Sequence, residues 1–186
     1  MTSVVWFRRD LRTRDHPALL ASGKQALGLF VLDNRLIKPS GAARLAFLYR
    51  CLRDLDEQLD GRLLVVSGDP VELVPRIAKQ VKASSVHVSA DAAPYGRERD
   101  ANVENALGDI DFIRSGSPYA VTPGRVTKQD GTPYKVFTPF SRAWADHGWR
   151  KPADTNASTV QWLEPPSKSH IPKDPAAPDL PKAGEQ

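Results

Sequence analysis

The chain has 186 residues, 40% apolar and 26% charged, with a formal charge of +4 at pH 7; this is one ordinary domain plus a tail, long enough to bury a core. No window approaches the roughly eighteen uninterrupted apolar residues of a membrane span, no apolar leader is read at the start, and the charge is too small to mark a nucleic-acid coat. A lone cysteine, Cys51, excludes an internal disulfide framework and suits a reducing compartment, so a cytoplasmic globular protein is expected.

Apolar runs and amphipathic stretches alternate along the chain. Ser3–Phe7 reads as a first strand, followed at once by Arg8, Arg9, Arg12 and Arg14. Pro17–Leu27 reads as a helix, with Asp15 or His16 as cap and Pro17 at its first position. "LGLFVL" at Leu27–Leu32 is a second strand. Gly41–Leu59 carries Leu45, Leu48, Leu52, Leu55 and Leu59 at spacings of three and four, which predicts a long amphipathic helix. Leu63–Val66 is a third strand, and Asp69 then Pro70 open a helix running through Val81. Ser85–Ser89 is a fourth strand, "APYGRERDANVENAL" a further helix, and Phe112–Arg114 marks a fifth strand. Four of the five strands are nearly continuously apolar, as strands covered on both faces are. Short strand–helix–strand connections then imply a Rossmann-like three-layer α/β sandwich around a five-stranded parallel sheet.

The pattern changes after the fifth strand. "QDGTPY" reads as a hairpin tip and "TPFSRAWADHGW" as one short helix with Phe140 and Trp144 on one face. From Arg150 onward the chain holds seven of its sixteen prolines and few apolar residues. Residues 150–186 are therefore expected to be a linker or extended wrap after a domain at 1–149.

Ligands of open parallel sheets sit outside the carboxyl ends of the strands, where strand order reverses. Arginines arriving just after Phe7 lie at that edge, either pairing with nearby carboxylates or meeting a ligand. No G-x-G-x-x-G follows the first strand and no P-loop occurs, so ordinary dinucleotide and P-loop sites are not supported. "SGSP" at Ser115–Pro118 offers a small anion nest or a plain turn. His16, His87, His147 and His170 lack paired metal-ligand spacing, and no G-x-S-x-G elbow is present. No metal site and no catalytic residue are read from the chain.

Taken together, "VVWFRRDLRTRDHPAL", "LFVLD", "RLLVVSGDP", "APYGRERD" and "PYKVFTPFSRAW" resemble, in this order, the successive blocks of the DNA photolyase and cryptochrome family. The resemblance runs from Val4 to about Trp149. It implies an N-terminal α/β domain joined by a connector to an all-helical domain that binds FAD and grips damaged DNA, where light-excited flavin splits a cyclobutane pyrimidine dimer. No such helical domain follows in these 186 residues, so the fragment alone is not expected to repair DNA. The alternative is a cryptochrome-type photoreceptor without repair activity.

The resemblance further implies that this half holds an antenna pigment passing excitation to FAD: an 8-hydroxy-5-deazaflavin or a methenyltetrahydrofolate. The folate type uses an Asn-Glu pair early in the helix after "PY". Arg97-Glu98 stands there, which favours the deazaflavin. The contacts carried over are Arg9, Phe30, Leu32, Arg44 and Asp91. A planar ring system wants the apolar slot that Phe7, Phe30 and Leu32 supply. Arg44 or Arg9 would hold an anionic ring oxygen, and Asp91 would accept from a ring or ribityl donor. Arg8, Arg12 and Arg14 are read as loop braces. The expected partners are the helical FAD domain and, through it, damaged DNA, with no membrane. Trp144, Trp149 and Trp162 are expected to form a bare apolar patch through which the isolated piece can dimerise.

Overall fold

The computed structural model describes residues 1–185. Five strands, β1 (Thr2–Phe7), β2 (Gln25–Asp33), β3 (Leu63–Gly68), β4 (Ser85–Val88) and β5 (Asp111–Arg114), form a parallel sheet in the order β3-β2-β1-β4-β5. The order reverses between β1 and β4, so the carboxyl ends of these two strands flank the place where such sheets bind ligands.

Helices cover both faces. On one side α4 (Pro70–Gln80) and α5 (Pro94–Leu107) bury Leu73, Val74, Ile77, Val103 and Leu107 against Val4, Trp6, Leu29 and Val86. On the other, α1 (Pro17–Ala21) and α3 (Ala42–Gln58) bring Leu19, Leu52 and Leu55 onto Val5, Phe7, Phe30 and Val65. The leucine stripe of α3 thus faces the sheet, as its spacing predicts. Asp69 caps α4, its carboxylate accepting from the Val71 amide at 2.9 Å. His16 caps α1 through Nδ1, which accepts from Leu19 N at 3.1 Å.

Several boundaries differ from the sequence reading. The helix at Pro17 stops at Ala21, because Gly23 takes φ +83° and turns the chain, and β2 starts at Gln25. A short helix α2 (Asn34–Ile37), unforeseen, is capped by the Asp33 carboxylate on Arg35 N at 2.9 Å. "QDGTPY" is a closed turn, with Lys128 N bonded to Thr132 O at 2.9 Å, but no strands flank it. Helix α6 (Phe137–His147) forms as expected and buries none of its residues.

The proline-rich segment is a wrap rather than a free linker. Residues Gln161–Trp162 form β6, parallel to the first two residues of β2, in the space left open because β3 begins opposite Gly28. Trp162 is 8% exposed, which removes it from any surface patch; an aromatic side chain of this size contributes on the order of 4 kcal/mol on burial. The chain then runs along the free edge of β3, where Ser169 Oγ accepts from Val65 N and donates to Leu63 O, and His170 N donates to Val65 O. Pairing the edge in this way shields a strand that would otherwise be open to association. Asp174 next bridges Arg50 and Arg53 on α3, and Glu185 accepts from Thr13 N and Arg14 N at 2.8 and 2.9 Å. Among the described residues no helix is long and apolar enough to cross a membrane.

Candidate functional site

Residues alternate sides along β1, and the alternation carries past its end. Val4 and Trp6 face α4 and α5, and Arg8 stays on that side, its guanidinium 4.9 Å from the Trp6 ring centroid and paired with Asp100 and the Ser89 carbonyl. Asp100 also accepts from Arg99 at 2.8 Å, and Arg99 lies 5.0 Å from the same Trp6 ring. Burial pulls the Arg8 guanidinium below its ordinary value and the Asp100 charge opposes it. Beside this cluster Asp10 is buried, accepting from Arg8 N, from Ser89 Oγ and, 3.0 Å away, facing His16 Nε2. Because His16 Nδ1 accepts the cap bond, Nε2 is the nitrogen that carries the proton, and it lies beside the Asp10 carboxylate. Burial by itself would raise the Asp10 carboxyl, but the hydrogen bonds from His16 and Ser89 and the Arg8 charge outweigh it and hold it well below the usual carboxylate range. Arg12 closes the loop on the Asp15 carbonyl at 2.8 Å. Arg8 and Arg12 are braces, while Arg14 is exposed and only its backbone is used.

Beyond the brace the same edge opens into a cavity of about 570 Å³ between the first loop, the end of β2 and the start of α3. Of the residues named from sequence, Arg9, Phe30, Arg44 and Asp91 line it. Leu32 does not: at 2% exposure it lies inside the apolar cluster of Phe30 and the α3 leucines. Arg9 is largely exposed, 3.5 Å from Asp91. Arg44, in the first turn of α3, is exposed and makes no ion pair among the described residues. Asp91 is fixed: its Oδ1 accepts from Ala93 N at 3.0 Å, and its Oδ2 lies 3.6 Å from Arg99. Its carboxylate crosses directly over Gly96, where an added Cβ would stand 2.2 Å from Asp91 Cγ. The glycine of "PYG" is therefore there to let this carboxylate reach the cavity.

Sequence reasoning missed several wall residues, Phe47 and Tyr95 among them. Phe47, one turn after Arg44 on α3, lines the cavity and is partly exposed; its i+3 spacing from Arg44 was the available signal. Tyr95, from the same "PYG", donates its hydroxyl to Asp33, and burial together with that bond pushes its own pKa up to about 12. Cys51 also borders the cavity, and burial pushes its thiol up, away from nucleophilic character. At "SGSP" the chain bends at Gly116, φ +66°, and Ser117 Oγ lies 3.1 Å from Thr122 Oγ1.

Away from this edge, α6 presents Phe137 and Phe140 to the surface, and Trp144 stacks on Trp149 with ring centroids 5.2 Å apart. Trp149 is 62% exposed. The bare aromatic face expected from sequence is present without Trp162.

The family model described as DNA photolyase matches residues 3–159. A deoxyribodipyrimidine photo-lyase of a Synechococcus species is 36% identical over 149 residues, covering 75% of this chain and 31% of that one. The enzyme of the same name from Thermus thermophilus is 34% identical over 187 residues, covering 98% of this chain and 42% of that one. The crystal structure of a Synechocystis cryptochrome superposes with a TM-score of 0.76 at 24% identity, over 94% of this chain and 39% of that one, and so shares the fold. The chain spans less than half the length of each of these proteins.

Proposed function

Because the chain belongs to the DNA photolyase family, we propose that it is the antenna-holding α/β half of a light-dependent deoxyribodipyrimidine photolyase. The observation that carries this reading is the cavity at the strand-order reversal, apolar on one wall and cationic at its rim. Phe30, Leu45, Phe47 and Leu48 offer a slot for a flat ring system. Among the described residues Arg44 has no ion-pair partner and Arg9 only a long one, so both guanidiniums are available to an anionic ring oxygen. Asp91, held by Ala93 N, is an acceptor for a ring or side-chain donor.

These groups suit an 8-hydroxy-5-deazaflavin. Arg97 and Glu98, where a folate-binding pair would stand, are exposed on α5 outside the cavity wall. When bound, the pigment absorbs light and passes the excitation to FAD. The chain's own residues only position it, exclude water from its ring and fix its charge. FAD, dimer splitting and the grip on damaged DNA belong to a helical domain, and the aromatic face of α6 is the surface we assign to contact with it.

The test is a titration with 8-hydroxy-5-deazaflavin, followed by its absorption. Micromolar binding with a shifted band is expected. Arg44→Ala should weaken it about tenfold, as loss of one charge-assisted bond does, with the unfolding midpoint unchanged. Absence of binding both to this chain and to a protein that carries the helical domain would overturn the assignment.

A further inference from the structure

Once Asp174 has bridged Arg50 and Arg53, the chain crosses α3 and returns to the first loop, where Gly184 and Cys51 both border the cavity of about 570 Å³. We propose that residues 175–185 are a hinged strap, latched by the Glu185 carboxylate on the first loop, whose release opens the cavity along α3. Such a strap works whatever the cavity holds.

The latch is a small anion receptor made of backbone. Two successive amides, Thr13 N and Arg14 N, donate to the two oxygens of Glu185 at 2.8 and 2.9 Å, and Thr13 Oγ1 adds a third bond at 3.0 Å. Consecutive N–H groups beside a residue of positive φ, here Asp15 at +48°, form a concavity that suits one anion. Bonds to a charged acceptor are about twice as strong as neutral ones. On the opposite side of the strap Gly184 crosses Asp54 of α3 with φ +99°, and an added Cβ would run into the Asp54 carboxylate. Only glycine lets this latch close.

What holds the wrap changes along its length. Up to Asp174 it is anchored by buried Trp162, by the bonds of Ser169 and His170 to the β3 edge, and by Ile171 against the α3 leucines. From 175 to 183, three prolines and three alanines make up most of the segment. None of these residues belongs to either apolar cluster, and among the described residues no hydrogen bond holds them. Segments with so few buried contacts open at low cost, and proline keeps this one stiff enough to swing as an arm about Asp174. At the tip, Glu185 N donates to Asp54 Oδ2 at 3.2 Å, which brings two carboxylates into one cluster. Neutral donors hold them, Gln58 Nε2 on Asp54 at 2.7 Å and the loop amides on Glu185. Their mutual repulsion therefore works against the latch and keeps it releasable.

Cys51 reports the state of the strap. It is the single cysteine, half-buried, and the Gly184 backbone N–H faces its sulfur. Labelling with an aromatic disulfide reagent at fixed pH therefore reads one site. Glu185→Ala and Gly184→Ala should each speed labelling about tenfold, as loss of the bonds to one carboxylate implies. Lys182→Ala, exposed on the arm, should leave the rate native. In the first two variants, hydrogen exchange read by NMR should quicken at the Thr13 and Arg14 amides. It should stay native at Val65, whose amide is bonded to Ser169, and the unfolding midpoint should hold. Native labelling in either Glu185→Ala or Gly184→Ala overturns the strap, as does an equal rise in Lys182→Ala. Faster labelling without faster exchange at Thr13 and Arg14 overturns the latch. Faster labelling joined to faster exchange at Val65, or to a lowered midpoint, overturns the hinge at Asp174, because the whole wrap or the fold has then loosened.

Discussion

At the carboxyl edge of the sheet, the Arg8 side chain is 7% exposed and held by Asp100 and the Ser89 carbonyl, whereas that of Arg9 is 55% exposed with a single contact to Asp91 at 3.5 Å. The two regions they belong to differ in the same sense. In the brace, Arg8, Arg99, Asp100, Asp10 and His16 are buried and each charge meets an opposite charge or a dipole. On the rim, Arg9 and Arg44 are exposed, Arg9 with only the 3.5 Å contact to Asp91 and Arg44 with no ion pair among the described residues. A buried guanidinium is tolerable only when paired, because desolvation costs several kcal/mol per ion; an exposed one costs little and is left free for a ligand. One loop therefore does two jobs, with side-chain parity after β1 deciding which arginine does which.

The comparison breaks most sharply at Asp100. Asp100→Ala leaves Arg8 and Arg99 buried beside Trp6 without their shared counter-charge, and stability should fall by about 3–5 kcal/mol, read from denaturant unfolding. Arg9→Ala on the rim should move the same measurement by less than about 0.5 kcal/mol. Equal effects would erase the distinction between brace and rim.

Gly96→Ala tests the place where the two regions meet. In an open helix this change stabilises by up to about 1 kcal/mol. Here the new Cβ would stand 2.2 Å from Asp91 Cγ, so overpacking of about 1–3 kcal/mol should win and the variant should be less stable. Asp91 must also swing off the cavity wall, so pigment affinity should fall in the same variant. A stabilised protein with native affinity would show that Asp91 is not held in place by the absence of that side chain.

What the sequence disclosed was local. The α3 stripe, the Asp69 cap and the apolar runs of the strands follow from neighbours within a few residues, and the structure keeps them. Parity also separates Arg8 from Arg9, though which of them is matched depends on Asp100, ninety-two positions away. Trp162 was hidden for the same reason: its surroundings are polar and proline-rich, and its burial depends on β2, far back in the chain. Leu32 shares the parity of Phe30, yet only Phe30 reaches the cavity, because depth along a strand end is set by the packing of distant elements. Tyr95 was in view within "PYG", but its acceptor, Asp33, lies across the sheet.

The smallest effect separates two buried histidines. His16 Nδ1 accepts from Leu19 N, and its Nε2 lies 3.0 Å from the Asp10 carboxylate. His87 meets Ser85 Oγ at 2.9 Å through Nε2, while its buried Nδ1 has no partner among the described residues. Burial lowers the His87 proton affinity below its ordinary value of 6.5, with the Asp111 charge opposing. The unfolded chain therefore takes up this proton first as pH falls. The stability tied to a neutral His87 is full above pH 6.5 and is lost as pH drops through the lower folded value. Asp10 acts in a separate window: its contribution is full above its ordinary 3.8 and disappears only in stronger acid. Denaturant midpoints should thus decline modestly between pH 7.5 and 5, and His87→Val, which suits a strand, should flatten that decline while leaving the acid limb set by Asp10. If the slope between pH 7.5 and 5 survives in His87→Val, the titrating group lies elsewhere and the unpartnered ring nitrogen has no bearing on stability.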